Sequence, residues 1–370
     1  MSKLRILFLE SFYGGSHRAF ADGFKAHSRH TVDLLTLPAR FWKWRMRGAA
    51  LQLLKNIPEP AAYQLVIATS LIDAALLKAL WPGPCPPVLL YFHENQLLYP
   101  LAHGEKRDFH YGFSNITSCL AADQVLFNSR YHAEAFFEEL PGFIRHLPDF
   151  KPLWVPDLIK ERSRVLYPGI EVPDSTAGPG KTGAADDRGP VILWNHRWEH
   201  DKNPEAFFNA LFRIKENGRR FRLIVAGEQF QNSPAVFERA RTELKEEIIH
   251  FGYIENRQEY FRVVARADIV VSTSRQENFG LSMVESMAMG CMPIAPRRLS
   301  YPEIIPPEFH KNSLYEHDED LPGVLSRAIA DYRPSYQAGL KESMRRFYWS
   351  ALIKTYDQLC EEAAGSCRGG

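Results

Sequence analysis

The chain has 370 residues, 45% of them hydrophobic, and its 45 basic and 44 acidic side chains leave a net charge of +1. That length and apolar content are enough for two globular domains. The charge balance excludes a global field that would select nucleic acid or membrane, so any polyanion must be met by a local patch.

The five cysteines, Cys85, Cys119, Cys291, Cys360 and Cys367, are scattered and show no Cys-x-x-Cys pair or zinc-like spacing. Reduced thiols in a cytoplasmic protein are the expectation. The N-terminal run Leu4–Leu9 is too short for a signal peptide and reads as a first strand. No stretch of 18 apolar residues exists, so no membrane span is expected. Asn115-Ile116-Thr117 matches a glycosylation sequon and is read as chance.

In chain order, short β-branched runs alternate with helical patterns. Leu4–Leu9, Thr31–Leu35, Leu65–Ala68, Val88–Phe92 and Val125–Phe127 predict the strands of one half. Val191–Trp194, Leu223–Ala226, Ile248–Phe251, Ile269–Ser272 and Met292–Ala295 predict those of a second. Helices are expected between them, among others at Asp108–Ala122, Pro204–Asn217 and Pro234–Glu246. This alternation predicts an α/β protein with two doubly wound, parallel-sheet domains. Residues 1–172 form the first domain and 190–333 the second. The Pro/Gly/Asp-rich segment 173–189 is the linker. Residues 334–370 carry a final helix expected to pack back across both domains. Ligands of such folds bind beyond the carboxyl ends of the strands, here in an interdomain cleft.

The chemistry-bearing motifs follow strand ends. Tyr13-Gly14-Gly15-Ser16-His17 is a glycine turn that opens a helix, with Ser16 as its expected cap. Pro38–Arg47 interleaves Arg40, Lys43, Arg45 and Arg47 with Phe41, Trp42 and Trp44, a pattern that holds phosphates while rings stack on unpaired bases. His93-Glu94-Asn95-Gln96 places four polar groups at the end of the fourth strand. Asn195–Pro204 carries Arg197 and Lys202, two cations suited to a diphosphate leaving group, and ends on Asn203-Pro204, a cap and first helical residue. Arg275–Gly290 follows a strand. Its two carboxylates Glu277 and Glu285 flank Gly280 at the start of a helix, an arrangement suited to an anion and sugar hydroxyls. Ser282–Glu285 is equally a capping-box pattern, with Gly290 as its C′ residue. Asp318-Glu319-Asp320 reads as a solvated loop.

Taken together these motifs resemble retaining glycosyltransferases of the two-Rossmann GT-B class, family four. More closely, they resemble the tRNA-queuosine mannosyltransferase family. The resemblance is carried by Glu10–His17, Leu37-Pro38-Ala39, Trp42, Trp44-Arg45, Tyr91–Leu97, Arg107-Asp108-Phe109, Tyr111-Gly112 and Phe127-Asn128-Ser129. In the second half it continues through His196–Lys202, Glu277, Phe279-Gly280, Glu285 and Tyr301–Ile304.

The resemblance implies GDP-mannose as donor and queuosine in a tRNA anticodon, of the tRNA-Asp type, as acceptor, without a metal. Arg197 and Lys202 would hold the diphosphate, helped by backbone N–H groups at Leu281–Met283 beside Phe279 and Ser282. Glu277 would bind mannose, Glu285 the ribose, and Gly227, Gly252 and Tyr253 would lie near the base. His93 would sit over the reacting sugar, with Gly14 and Gly15 near the diphosphate and acceptor. His17, Glu94, Asn95, Gln96 and the Arg40–Arg47 segment would meet the tRNA acceptor. Two alternatives stand beside this reading: a family-four transferase acting on a lipid or small acceptor, and a module that binds tRNA or nucleotide sugar without catalysis.

Overall fold

The computed structural model describes residues 3–98, 108–173, 188–229, 234–332 and 336–366. Its first sheet contains β1 (Arg5–Tyr13), β2 (Thr31–Pro38), β3 (Leu65–Thr69), β4 (Val88–Phe92), β5 (Gln124–Phe127) and β6 (Ser163–Val165). All neighbours are parallel, in the order β2-β1-β3-β4-β5-β6. The second sheet contains β7 (Val191–Trp194), β8 (Arg222–Ala226), β9 (Ile248–Gly252), β10 (Ile269–Val271), β11 (Met292–Pro296) and β12 (Leu314–Tyr315). It too is parallel, in the order β12-β11-β10-β7-β8-β9. The edge strands β6 and β12 are the ones the apolar pattern misses, because two or three residues are too few to show a period.

Alternate residues of a strand point to opposite faces, and both faces here are buried. Leu7 and Leu9 of β1 join one core with Ala49, Leu53, Phe136 and Leu140, whereas Ile6 and Phe8 join another with Phe20, Phe24, Trp349 and Tyr356. The helix Trp349–Ser366 therefore packs on the first sheet. Its Asp357 accepts from Ser28 Oγ at 2.6 Å and from the Arg29 N–H at 3.1 Å. The chain accordingly divides into Met1–Ile170 with Phe347–Gly370, and Glu171–Arg346. In the second unit Ile192, Trp194, Leu223 and Val225 pack against the helix Pro204–Glu216.

Two capping expectations are corrected, and a third holds in position without the side-chain bond. Gly14, not Ser16, is the N-cap of the helix Gly15–His27, with no side-chain cap bond. Gly280, at φ +88°, is the N-cap of Leu281–Ala288, so Ser282 lies inside the first turn and the capping box is not formed. Asn203 does sit at the N-cap of Pro204–Glu216, but its side chain donates to Asp318 Oδ2 at 2.9 Å instead of capping. Gly290 does act as C′. It has φ +83°, its N–H reaches Met287 O at 2.8 Å, and Cys291 N–H reaches Ser286 O at 2.9 Å, the paired bonds of a Schellman end.

Asp318 is likewise more than a solvated loop residue, because Arg298 Nη2 also donates to it at 2.8 Å. Asn115 of the sequon is buried. It accepts from Gln96 N–H at 2.8 Å and donates to Ser70 O at 3.1 Å. Cys85, Cys119, Cys291 and Cys360 are free thiols, and Cys367 lies outside the described residues, as do Arg107 and most of the predicted linker. No helix among the described residues is long and apolar enough to cross a membrane.

Candidate active site

In the second unit, the carboxyl ends of β7 and β10 bring Lys202 and Glu277 together. Lys202 is 8% exposed. Its Nζ lies 3.0 Å from Asp201 Oδ2 and 3.6 Å from Glu277 Oε2, and donates to Gln276 O at 2.8 Å. Burial works against its charge, but Glu277 and then Asp201 outweigh it and raise the pKa, so Lys202 is a fixed cation. Burial, aided by that cation, lowers the neighbouring His196 to about 4 and keeps it neutral. Arg197 differs from Lys202. Its side chain is half exposed and lies 3.1 Å from Glu199 Oε2.

Glu277 Oε1 accepts the Gly280 N–H at 3.1 Å, so the carboxylate that faces Lys202 also closes the loop before the helix. Gly280 has the left-handed backbone that favours glycine, and an added Cβ would lie 3.1 Å from Ile304 Cδ1. The first intrahelical bond runs from Val284 N–H to Gly280 O at 3.0 Å. Leu281, Ser282 and Met283 thus present N–H groups without an intrahelical acceptor, at the positive end of the helix dipole.

The backbones after β7 and β8 touch at Gly227, where a Cβ would fall 1.8 Å from His196 O. Trp198 N–H bonds Glu228 O at 3.0 Å across the same junction. Tyr253, just past β9, is 62% exposed. Glu285 is 3% exposed and forms a 2.5 Å ion pair with Arg257 Nη2, from the helix Arg257–Val264. Asn195 Nδ2 ties β7 to the helix Leu281–Ala288 through Ser286 Oγ at 3.0 Å and to Tyr260 OH at 2.8 Å. Sequence reading missed Arg257 and Asn195 as site residues. Arg257 is 28 positions from Glu285, and no local spacing joins them. Asp201 was missed although it adjoins Lys202.

In the first unit, β1 and β4 assemble a second cluster. His17 Nδ1 lies 3.1 Å from Glu10 Oε2, and Nε2 lies 3.0 Å from Glu94 Oε2. Burial opposes its protonation, but Glu10 and then Glu94 outweigh burial and raise the His17 pKa to about 10. The His93 ring stands 4.0 Å from that of His17. Burial, reinforced by His17 and His132, pushes His93 well below the usual histidine range, so it is neutral. Glu10, His17 and His93 also bring ligating atoms within 4.8 Å of one another, a set with metal-ligand chemistry. Here, however, both His17 nitrogens already face carboxylates, which makes this a proton-bridged network.

Asn95 is buried. It bonds His132 Nε2 at 2.8 Å and accepts the Leu97 and Leu98 N–H groups at 3.0 Å, while His132 Nδ1 meets Asn128 Oδ1 at 2.8 Å. Gln96 is buried beside it. Within Glu94-Asn95-Gln96, Glu94 keeps the partly exposed side chain. Gly14 and Gly15 lie at the turn between β1 and the helix bearing His17.

Within the basic-aromatic segment, Trp42–Arg47 form the first turns of the helix Trp42–Leu54, and Phe41 is its N-cap. Arg40, Phe41, Lys43, Trp44 and Arg47 are exposed. Trp42 is half-buried against Tyr111, with ring centroids 5.4 Å apart, and Arg47 lies 5.7 Å from the same Tyr111 ring. Arg45 turns back to donate to Pro38 O at 3.2 Å. A cavity of about 460 Å³ opens between Leu37, Arg40, Trp44 and Gln52.

Residues 5–170 match the family model described as tRNA-queuosine alpha-mannosyltransferase N-terminal, and residues 181–342 match that of glycosyl transferases group 1. The chain is 38% identical over 315 residues to the tRNA-queuosine alpha-mannosyltransferase of Drosophila melanogaster, with 83% of each chain covered. It is 28% identical over 134 residues to the GDP-mannose:cellobiosyl-diphosphopolyprenol alpha-mannosyltransferase of Xanthomonas campestris, covering 36% of this chain and 34% of that one. Sucrose-phosphate synthase from Thermosynechococcus elongatus superposes with a TM-score of 0.74 at 18% identity, over 98% of this chain and 100% of that one. HepE from Anabaena in complex with UDP gives 0.70 at 15%, over 97% and 100%. At such identities the structural likeness shows the fold, which is GT-B. With two parallel α/β units, both family models and a relative matched across most of its length, the chain is a glycosyltransferase and belongs to the tRNA-queuosine alpha-mannosyltransferase family.

Proposed function

We propose that this chain transfers mannose from GDP-mannose to queuosine in a tRNA anticodon, in the cytoplasm, with retention of configuration and without a metal. The observation that carries the reading is Lys202. It is buried, held charged by Glu277 and Asp201, and linked through Glu277 to Gly280 and the open N–H groups of the helix Leu281–Ala288.

As the bond to the anomeric carbon breaks, negative charge grows on the departing diphosphate and positive charge on the sugar. A cation and N–H groups already in place stabilise the first without reorganisation. Glu277 stands between Lys202 and the sugar side, where its oxygens accept sugar hydroxyls and oppose the positive charge. Retention follows if the acceptor hydroxyl enters on the face that the phosphate leaves, with the phosphate oxygen taking its proton. Neutral His93, beside charged His17, is suited to a hydrogen bond with the sugar and not to delivering a proton. Tyr253 and the Gly227 junction suit a flat base, and Glu285 a ribose. The exposed Arg40, Lys43, Trp44 and Arg47 suit the phosphates and unpaired bases of an anticodon loop.

The test incubates the chain with GDP-mannose and queuosine-containing tRNA, then digests the tRNA and weighs the nucleosides. Queuosine heavier by one hexose, absent with queuosine-free tRNA, is the expected result. Donor hydrolysis without transfer to tRNA would redirect the acceptor to a lipid or small molecule.

A further inference from the structure

Glu10 ends the regular pairing of β1 with β2 and is fully buried. Its Oε1 accepts the Phe12 N–H at 2.7 Å and its Oε2 meets His17 Nδ1 at 3.1 Å. The other His17 nitrogen meets Glu94 Oε2 at 3.0 Å. An imidazole that donates from both nitrogens to carboxylates carries both protons. Glu94 Oε1 lies 3.4 Å from Ser70 Oγ, a long contact, and its side chain is 22% exposed. The three groups thus form a line from the core to the surface, negative, positive, negative.

We infer that Glu10 is a positioning residue for the acceptor. Through His17 it holds the Glu94 carboxylate in the orientation in which that carboxylate meets the acceptor. This rests on the acceptor role proposed for Glu94. Glu10 itself touches no substrate: it is fully buried, with the Phe12 N–H on Oε1 and with His17 Nδ1 at 3.1 Å and His93 Nε2 at 4.0 Å from Oε2. The remaining titratable group against His17 is His93, which is neutral, with His132 behind it, also held neutral by burial at about 3. No second cation among these groups substitutes for His17.

The wild-type chain, Glu10→Gln, His17→Gln and the double variant are compared for transfer to queuosine tRNA from about pH 6 to about pH 9, a window around the ordinary histidine value. GDP-mannose affinity and Tm are measured on each. His17 in the wild type, held at about 10, stays charged across the window. Glu10→Gln removes the stronger of the two raising carboxylates. The His17 pKa then falls, and kcat/KM for tRNA drops as pH rises, by roughly 10- to 100-fold at the alkaline end, the worth of one charge-assisted hydrogen bond. Donor affinity is unchanged. His17→Gln shows the loss at every pH, and the double variant loses no more.

A Glu10→Gln profile parallel to wild type, or single losses that multiply in the double variant, overturns the inference alone. A wild-type chain that never modifies queuosine tRNA overturns the acceptor reading as well. Should Glu10→Gln fail to fold, an NMR titration of the wild-type His17 ring decides: a ring still protonated at about pH 9 supports the inference, and one titrating near about 6.5 overturns it.

Discussion

The helix Trp42–Leu54 presents three exposed cations, Arg40, Lys43 and Arg47, the first just ahead of its N-terminus. Replacing all three by alanine tests whether this surface meets RNA phosphates. For single-stranded nucleic acid, each neutralised phosphate contributes about −0.7 to the slope of log K against log salt. Three lost contacts therefore flatten the slope by about 2.1 units. Between about 50 and about 200 mM salt, a fourfold change, that difference amounts to about 18-fold in relative affinity. The variant binds tRNA more weakly at low salt, and the gap to wild type closes as salt rises.

The assay is equilibrium filter binding of queuosine tRNA at four salt concentrations, with GDP-mannose affinity and Tm as controls. Stability is expected to hold because all three side chains are exposed and their ring contacts, at 5.7–5.8 Å where Arg40 meets Phe41 and Arg47 meets Tyr111, are weak. A slope equal to wild type, with transfer intact, would refute the assignment of this face to RNA.

Other expectations follow from the same geometry. Arg197→Ala, which removes a half-exposed side chain, should lower kcat by about 10²–10³ if Arg197 meets the leaving diphosphate, with Tm nearly unchanged; equal falls in activity and Tm would sink that role. Gly227→Ala forces a methyl onto His196 O and should cost about 1–3 kcal/mol in denaturant titration together with donor affinity, whereas a neutral outcome would mean that the β7 and β8 loops are free to part. His132, held neutral at about 3 in the fold against 6.5 as its ordinary value, contributes stability that is present above pH 6.5 and lost as pH falls through about 3. His132→Gln should accordingly flatten the dependence of unfolding free energy on pH over that range, and an unchanged slope would count against the burial argument.

Much of this protein is legible in order along the chain. The central strands announce themselves as apolar runs because parallel strands covered on both faces need apolar side chains at every position, as Leu223–Ala226 has. The motifs also lie where the topology demands, after strand ends, since all strands of each sheet are parallel and their carboxyl ends share one edge. Adjacency in sequence was enough to mark Lys202, Glu277 with Gly280, and the Arg40–Arg47 run as candidate site residues. Caps were less legible. Ser16, Ser282 and Asn203 are good capping types, but backbone geometry placed glycines at two of those ends and turned the Asn203 amide to Asp318.

What only the tertiary structure decided is which charges face one another. Lys202 and Glu277 are 75 positions apart, Arg257 and Glu285 are 28 apart, and Glu94 is 77 from His17; each pair meets because different strands deliver its members to the same sheet edge. The protonation states follow from those meetings. Two histidines of like sequence character, His17 and His93, stand ring to ring, one held charged by two carboxylates and the other kept neutral by burial. Residue type sets what a side chain is able to do, but its charge depends on the dielectric and the neighbours that folding alone supplies.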